Sequence, residues 1–313
     1  MRAARIHRFG SPDVIEIEDV PCPVPDPDQV LVRVAAAGVG PWDAWIREKK
    51  SVVNVGLPLT LGSDIAGIVE SVGSNVHQFK PGDEVYGATN PEFIGAYAEY
   101  ALVSAGMIAK KPARLSFEEA ASAPVVAVTA LQMLFDYAKA QAGQSVLIHG
   151  AAGSVGAYAV QLARKAGLRI FATASEKDIS FVRGLGGGSS GIEAIIDFRT
   201  TQFETVVPRV DIVLDLVGGD TRTRSFEVIK PGGILVSAVS NEPPPPRSIR
   251  GVFFLVDVTT ERLEKLGELF ERNELQADVG TVLPLDQAIT AHEMLAGAPH
   301  KRGKIVLRMA SPD

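Results

Sequence analysis

Cysteine is almost absent from this chain: Cys22 is the single one in 313 residues. One thiol excludes an intrachain disulfide and any multi-cysteine zinc lobe. Aromatic residues are scarce at 6%, and only two are tryptophans, Trp42 and Trp45. Long apolar runs are missing too. The most apolar stretch, Ala120 to Phe135, is too short to span a bilayer and contains Ser122, Pro124, Thr129 and Gln132. Basic charge is not in excess: 37 acidic against 31 basic residues give a net charge of −6. That balance argues against a nucleic-acid partner. No apolar run follows Arg2, Arg5 and Arg8, so no secretory signal is predicted and a cytoplasmic protein is expected. What is present is ordinary globular composition, 46% hydrophobic and 22% charged. The length suggests two domains or one large one.

The first 110 or so residues read as β-rich. Met1–Phe9 and Val14–Val20 flank the turn signal Gly10-Ser11-Pro12-Asp13, and short strands follow at Val30–Val34, Gly67–Val72 and around Val85. Many short strands between glycine and proline punctuation predict a barrel-like β domain. At Ser116-Phe117-Glu118-Glu119 the pattern fits a capping box, and a long helical region is predicted to about Ala142. From Ser145 the order becomes strand, helix, strand: Val146–His149, Ser154–Ala166, Leu168–Thr173. Apolar runs at Ala194–Ile196, Val210–Leu216 and Ile234–Val239 then predict a parallel sheet covered on both faces. Gly251–Val258 reads as one more strand, Leu263 to Phe270 as an amphipathic helix, Asp286 as the cap of a last helix, and Lys304–Met309 as a closing strand.

The strongest chemical signal is the segment from Val146 to Gly156, with Gly150-Ala151-Ala152-Gly153-Ser154-Val155-Gly156 between an apolar strand and a helix. Small residues let a backbone approach a pyrophosphate, and the helix N-terminus offers N–H groups and the positive end of its dipole. A close-packed turn without a ligand would look similar. The following strand ends in Ala172-Thr173-Ala174-Ser175, with Lys177 close behind and no carboxylate at the end position. A hydroxyl and an ammonium suit a 2′-phosphate, so NADPH is expected over NADH. Glu176 is a counter-signal, and a solvated Ser-Glu-Lys helix start is the plainer reading.

Ala36-Ala37-Gly38-Val39, Pro58 to Gly73, Gly82 to Gly87, Val128-Thr129-Ala130, the glycine turn and Gly303-Lys304-Ile305-Val306-Leu307 occur in this order over nearly the whole chain. Together they resemble the medium-chain dehydrogenase/reductase superfamily, and most of all its zinc-independent quinone oxidoreductase and zeta-crystallin branch. The resemblance implies an α/β protein. A GroES-like β-rich catalytic domain would span 1–123 and 258–313, and a Rossmann doubly wound domain 124–257, with the active site in the cleft. In the zinc alcohol dehydrogenases of the superfamily a ligand cysteine follows the Ala-Ala-Gly-Val stretch, where this chain has Gly40. Their Gly-His-Glu is Gly62-Ser63-Asp64 here. Thiolate and imidazole ligands are both missing, and His7, His77, His149, His292 and His300 show no ligand spacing, so no metal is expected.

The resemblance also implies roles. Ala152, Gly153, Ser154, Val155 and Gly156, with Ser175, Lys177, Phe198, Val217, Val239, Phe253 and Lys304, are expected at the cofactor. Thr129 is expected on its nicotinamide side, though packing within its helix is the plainer role. Pro41-Trp42-Asp43 resembles the family's Asn-Pro-x-Asp segment, with Gly40 in place of the Asn. Trp42, Asp43, Asp64 and Thr129 are the catalytic candidates. Trp42 and Trp45 would line an aromatic pocket or belong to the core, and the two aspartates would orient groups or serve as structural hydrogen-bonders. Asp197-Phe198-Arg199 keeps the ring of the family's Asp-Tyr-Arg and loses its phenol. The activity implied is NADPH-dependent reduction of a small quinone or enone by a homodimer. An enoyl reductase or alcohol dehydrogenase type of enzyme, and a non-catalytic cofactor-binding protein, stay open as alternatives.

Overall fold

The computed structural model describes residues 1–187 and 191–310. Within the loop Gly186 to Gly191, residues 188–190 therefore lie outside the described residues. The chain forms two compact units. One contains Met1–Val125, Val258–Glu271 and the chain from Ala277 onward; the other contains Val126–Asp257 and Arg272–Gln276. The short return Arg272–Gln276 is tied to the second unit by paired bonds. Gln161 Nε2 donates to the Gln276 carbonyl at 3.1 Å, and the Gln276 N–H donates to Gln161 Oε1 at 2.8 Å.

In the first unit, the predicted hairpin forms. Arg2–Ile6 pairs antiparallel with Ile15–Asp19, matching Ile6 with Ile15. A seven-stranded sheet runs Val279–Pro284, Lys304–Arg308, Gln29–Val39, Asp64–Val72, Glu84–Ala88, Ile108–Lys110, with Tyr100–Ser104 also paired to Gln29–Val39. The strand Val279–Pro284 is absent from the sequence reading, because its glycine- and proline-marked ends hide a short parallel partner for Lys304–Arg308. Register places the polar residues of this sheet. Gly38 lies opposite Asp64, and Val39 lies opposite Ile305. Residues 40, 64 and 304, far apart in sequence, thus meet at one end of three adjacent strands.

The capping box at Ser116 is present: the Glu119 N–H donates to Ser116 Oγ, and the Ser116 N–H donates to Glu119 Oε2 at 2.8 Å. The single long helix predicted after it is not. Phe117–Ala121 ends at Ser122, Pro124–Leu131 starts afresh, and a wider turn over Gln132–Tyr137 closes the region. Pro124 explains the break, since it lacks an N–H and is best tolerated in a helix's first turn. Asp286 likewise is no cap. It sits inside the turn Leu285–Gln287, its carboxylate paired with Arg2, and the helix Ala288–Leu295 follows Gln287.

The second unit is a six-stranded parallel sheet in the order Ile192–Asp197, Arg169–Ala174, Ser145–Ile148, Val210–Asp215, Ile229–Ser237, Arg250–Phe253. In order of appearance that is 3-2-1-4-5-6, the doubly wound dinucleotide-binding arrangement. Every residue of Ser145–Ile148 is buried, as a central strand covered on both faces requires. The edge strand is shorter than predicted: pairing stops at Phe253, and 254–259 leaves the sheet before the helix Thr260–Glu271. No helix among the described residues is long and apolar enough to cross a membrane.

Candidate active site

In the second unit, strands one and four of the sheet end side by side, and strand order reverses there. Such a switch point opens the crevice that ligands use. Gly150 leaves strand one with φ of +68°, a left-handed conformation that favours glycine. At Gly156 a Cβ would lie 2.2 Å from the Gly150 carbonyl oxygen, so only glycine lets the helix start this close to the turn. Helix Ser154–Lys165 has Gly153 as its N-cap and no side-chain cap. Its first N–H groups are therefore offered to a ligand, beside partly exposed Ala152, Ser154 and Val155 and exposed Gly153. This cradle fits a pyrophosphate.

Across the switch point Asp215 is fully buried and shapes the next turn. Its Oδ1 accepts from the N–H groups of Val217 and Gly218 at 3.1 and 2.7 Å, and its Oδ2 accepts from Ser237 Oγ at 2.9 Å. No local pattern in the sequence singles out this aspartate. Beyond the strand ends Phe198, Val217, Val239 and Phe253 stand between 40% and 58% exposed. Apolar side chains exposed along one edge of a sheet suit the flat rings of a dinucleotide. Thr129 is buried within Pro124–Leu131.

Ser175 differs from expectation. It is buried, and its hydroxyl donates its only proton to Asp178, so in this arrangement it has none for a phosphate. Lys177 is exposed and keeps the expected role open. His149 is a core residue, bonded to Thr173 Oγ1 at 3.2 Å and Ser225 Oγ at 2.9 Å; burial pushes its pKa down to about 4.

The first unit gathers Gly40, Trp42, Asp43, Ser63, Asp64, Tyr97 and Lys304. Helix Pro41–Arg47 begins at Gly40, whose N–H donates to Asp43 Oδ2 at 2.8 Å. Tyr97 Oη donates to the same oxygen at 2.9 Å. Asp43 is fully buried, and burial above all pushes its pKa up to about 7, against the pull of the Gly40 N–H, Lys304 and Tyr97. Asp64 is also fully buried. Its Oδ1 accepts from the Val125 N–H at 3.1 Å, and its Oδ2 faces Lys304 Nζ at 3.2 Å in a charge contact rather than an aligned hydrogen bond. Burial raises its pKa too, with the Lys304 charge opposing. Gly38 is required beneath this pair, because a Cβ there would lie 2.4 Å from the Ala121 carbonyl and 2.9 Å from Asp64 Cβ.

Trp42 and Lys304 meet here. The ammonium sits 4.2 Å from the indole centroid, and Trp42 Nε1 donates to Ser63 Oγ at 2.9 Å. Lys304, expected at the cofactor, is thus engaged with Asp64 and Trp42. Trp45, by contrast, is about half exposed. The sequence marks Ser63 only as the residue in place of a ligand histidine, not as the partner of Trp42, and nothing in its local sequence marks Tyr97 as the partner of Asp43.

A catalytic zinc does not fit these residues. Gly40 offers no side chain, and the Ser63 hydroxyl is a poor ligand already accepting from an indole. His292 is buried against Arg47, its Nδ1 2.6 Å from the guanidinium, and burial with that charge pushes it down to about 3. One grouping is not visible in the spacing. The hairpin brings His7 beside Glu16 and Glu18, their ligand atoms within 4.8 Å of one another, with His7 and Glu16 exposed and Glu18 half-buried.

A doubly wound dinucleotide sheet and a GroES-like β unit define the two-part dehydrogenases. Residues 26–113 match the alcohol dehydrogenase GroES-like domain, and residues 190–307 the domain of zinc-binding dehydrogenases. The chain is 33% identical to a quinone oxidoreductase of Mus musculus, with 98% of this chain and 97% of the relative covered. It is 32% identical to a chloroplastic NADPH-dependent alkenal/one oxidoreductase of Arabidopsis thaliana, over 98% of this chain and 79% of that one. A quinone oxidoreductase structure from Coxiella burnetii superposes with a TM-score of 0.91 at 34% identity, covering 99% of both chains. The chain belongs to the medium-chain dehydrogenase/reductase superfamily, in its quinone oxidoreductase branch, and is an oxidoreductase.

Proposed function

We propose that the chain reduces conjugated carbonyl compounds, quinones and enones, with NADPH. The observation that carries this reading is the content of the former ligand positions: Gly40 and Ser63 stand there, with an indole and an ammonium beside them. Such a donor set cannot supply the Lewis acid that polarises a simple ketone. A conjugated acceptor needs less help, since it spreads developing charge over carbon and oxygen, whereas an isolated carbonyl concentrates it on one oxygen. Relatives that act as a quinone oxidoreductase and as an NADPH-dependent alkenal/one oxidoreductase support the same class.

NADPH, when bound, supplies the hydride. In this reading residues 124–257 hold it and residues 1–123 with 258–313 hold the acceptor. Ala152 to Gly156 take the pyrophosphate on uncapped N–H groups, and Lys177 pairs with the 2′-phosphate. Phe198, Val217, Val239 and Phe253 supply apolar contacts, and Thr129 borders the nicotinamide. Asp43 and Asp64 are positioning residues: one fixes the start of helix Pro41–Arg47, the other anchors Lys304. A cytoplasmic setting accords with the single thiol.

The test is NADPH consumption with 1,4-benzoquinone, 9,10-phenanthrenequinone, a 2-alkenal and cyclohexanone. Conjugated acceptors are expected to turn over far faster. If cyclohexanone, or cyclohexanol with NADP⁺, outran all of them, the alcohol dehydrogenase reading would replace this one. Cofactor binding without turnover of any acceptor would favour a non-catalytic role.

We also propose a homodimer formed through Arg250–Phe253. Among the described residues that strand ends the sheet with one side unpaired, and Phe253 and Leu255 are exposed beside it. Pairing with a two-fold mate would cover a hazardous edge. Light scattering giving a monomer mass at micromolar concentration would refute it.

A further inference from the structure

A guanidinium seldom belongs in a protein core, yet Arg222 is only 1% exposed. It lies in helix Gly219–Ser225, which follows strand four of the dinucleotide sheet. Arg224, two residues on, shows what an arginine ordinarily does there: it stays partly exposed and forks onto Glu204 at 2.7 and 2.6 Å. Arg222 turns inward instead. Its Nε donates to the Pro243 carbonyl at 3.2 Å and its Nη2 to the Asn241 carbonyl at 3.4 Å. Its Nη1 makes no hydrogen bond and faces Asp215 Oδ2 at 3.9 Å. Two long bonds to carbonyls and one loose ion contact repay the burial of a charge poorly, and an apolar side chain of similar volume would serve the core as well. Stability alone does not account for this residue.

What its contacts share is a place. Asp215 Oδ1 fixes the loop after strand four through the Val217 and Gly218 N–H groups, and Oδ2 accepts from Ser237 Oγ. Ser237 Oγ in turn accepts from the N–H groups of Val239 and Ser240 at 3.1 and 3.2 Å, which starts the loop after strand five. Arg222 holds the next stretch of that same loop, at 241 and 243. The two loops touch, since a Cβ at Gly218 would lie 3.1 Å from Val239 Cγ1. Each presents one apolar side chain, Val217 or Val239, about half exposed. In a 3-2-1-4-5-6 sheet each half takes one nucleotide. Lys177 follows strand two, so strands four and five belong to the half that takes the nicotinamide.

We infer that Arg222, with Asp215 and Ser237, latches the loops after strands four and five into one preformed seat for the nicotinamide half of NADPH. This rests on the cofactor placement proposed above. Arg222 is a positioning residue: it holds loop backbone, and its effect reaches the cofactor through Val217 and Val239. Arginine suits the task because its rigid fork spans two carbonyls of one loop while its third nitrogen faces the carboxylate that holds the other; a lysine offers one point of charge.

The experiment measures NADPH and adenosine 2′,5′-bisphosphate binding by calorimetry in wild type, Arg222→Met and Arg222→Lys. The bisphosphate carries the adenosine half and no nicotinamide. A released loop must be ordered again when the cofactor binds, so Arg222→Met is expected to weaken NADPH by about five- to thirtyfold and to leave the bisphosphate within about twofold. Arg222→Lys should stay closer to Arg222→Met than to wild type. Equal losses for both ligands would make Arg222 merely part of the fold and overturn the inference, as would an unchanged NADPH affinity or full recovery with lysine. Ser237→Ala disturbs the same latch without stranding a buried cation, and answers the question should Arg222→Met not fold. It should show the same selective loss, and strictly additive effects of the two substitutions would mean separate attachments and no latch. Amide hydrogen exchange in the free protein separates the latch from the placement. Exchange over 239–242 should quicken about tenfold or more in Arg222→Met, and unchanged exchange sinks the latch whatever the cofactor does. Quickened exchange with a loss confined to the bisphosphate would leave the latch standing and sink the placement, putting the adenosine on strands four and five.

Discussion

The two units build their sites in opposite ways. In the dinucleotide unit, the cradle comes from seven contiguous residues, 150–156, and uses backbone N–H groups and glycine space, while the buried Asp215–Arg222 pair shapes only the neighbouring turns. Its buried histidine, His149, is held neutral. In the GroES-like unit, the site is assembled from positions 40, 42–43, 63–64, 97 and 304, and uses buried side chains that carry or share charge. Backbone sites are local because a turn and a helix start are local. Ion clusters are nonlocal because burying one charge requires a partner, and here only strand pairing delivers it.

The largest effect should come from removing that partner. Lys304→Met leaves Asp64 buried and unpaired, which costs about 3–5 kcal/mol; Asp64→Asn in the same chain should recover much of it. In the other unit Lys177→Ala, at an exposed position, should change stability by no more than about 0.5 kcal/mol. Urea unfolding followed by circular dichroism measures both, and similar losses would erase the contrast.

Asp43 sharpens it through pH. With its pKa raised from 3.8 to about 7, the folded state holds a proton that the unfolded chain has released across that interval. Stability therefore falls as pH rises from about 4 to about 7, by up to roughly 4 kcal/mol from this group. His149 and His292 act in the other direction. Folded, they are neutral down to about 4 and about 3, while the unfolded chain takes up protons below 6.5, so each costs stability as pH falls. Asp43→Asn should remove only the first slope, read as the difference in melting temperature from wild type between pH 4 and 8. A constant difference would mean that Asp43 is ionised throughout.

The smallest of the three concerns the cofactor. Lys177→Ala should weaken NADPH binding by about 10–100-fold, the loss of roughly 1.5–3 kcal/mol of charge-assisted contact, and leave NADH nearly unchanged. With the Ser175 proton spent on Asp178, that contact would rest on Lys177 in the proposed reading. Equal losses for both cofactors, measured by calorimetry, would remove Lys177 from the phosphate.

Legibility follows the same divide. The central buried strand, the Ser116 capping box and the glycine turn are patterns of neighbouring residues, and they occur in the structure within a residue or two of their predicted places. Gln29–Val39 and Ile229–Ser237, by contrast, are several residues longer than the strands predicted at Val30–Val34 and Ile234–Val239. The helix predicted from Ser116 to Ala142 is too long because apolar periodicity outweighs Pro124 in a reading by pattern. The strand Val279–Pro284 and the length of the edge strand depend on partners, so propensity alone cannot bound them.

By itself the sequence determined the doubly wound nucleotide unit, the β-rich unit beside it in the chain, and the absence of thiolate and imidazole at positions 40 and 63. These follow from residue identity and short-range spacing. Only the tertiary structure decided what fills those positions. The register of Gly38 with Asp64 and Val39 with Ile305 carries Lys304 to Asp64 and over Trp42. Pairing across more than 200 residues is set by the burial of whole strands, and no local pattern in the chain encodes it.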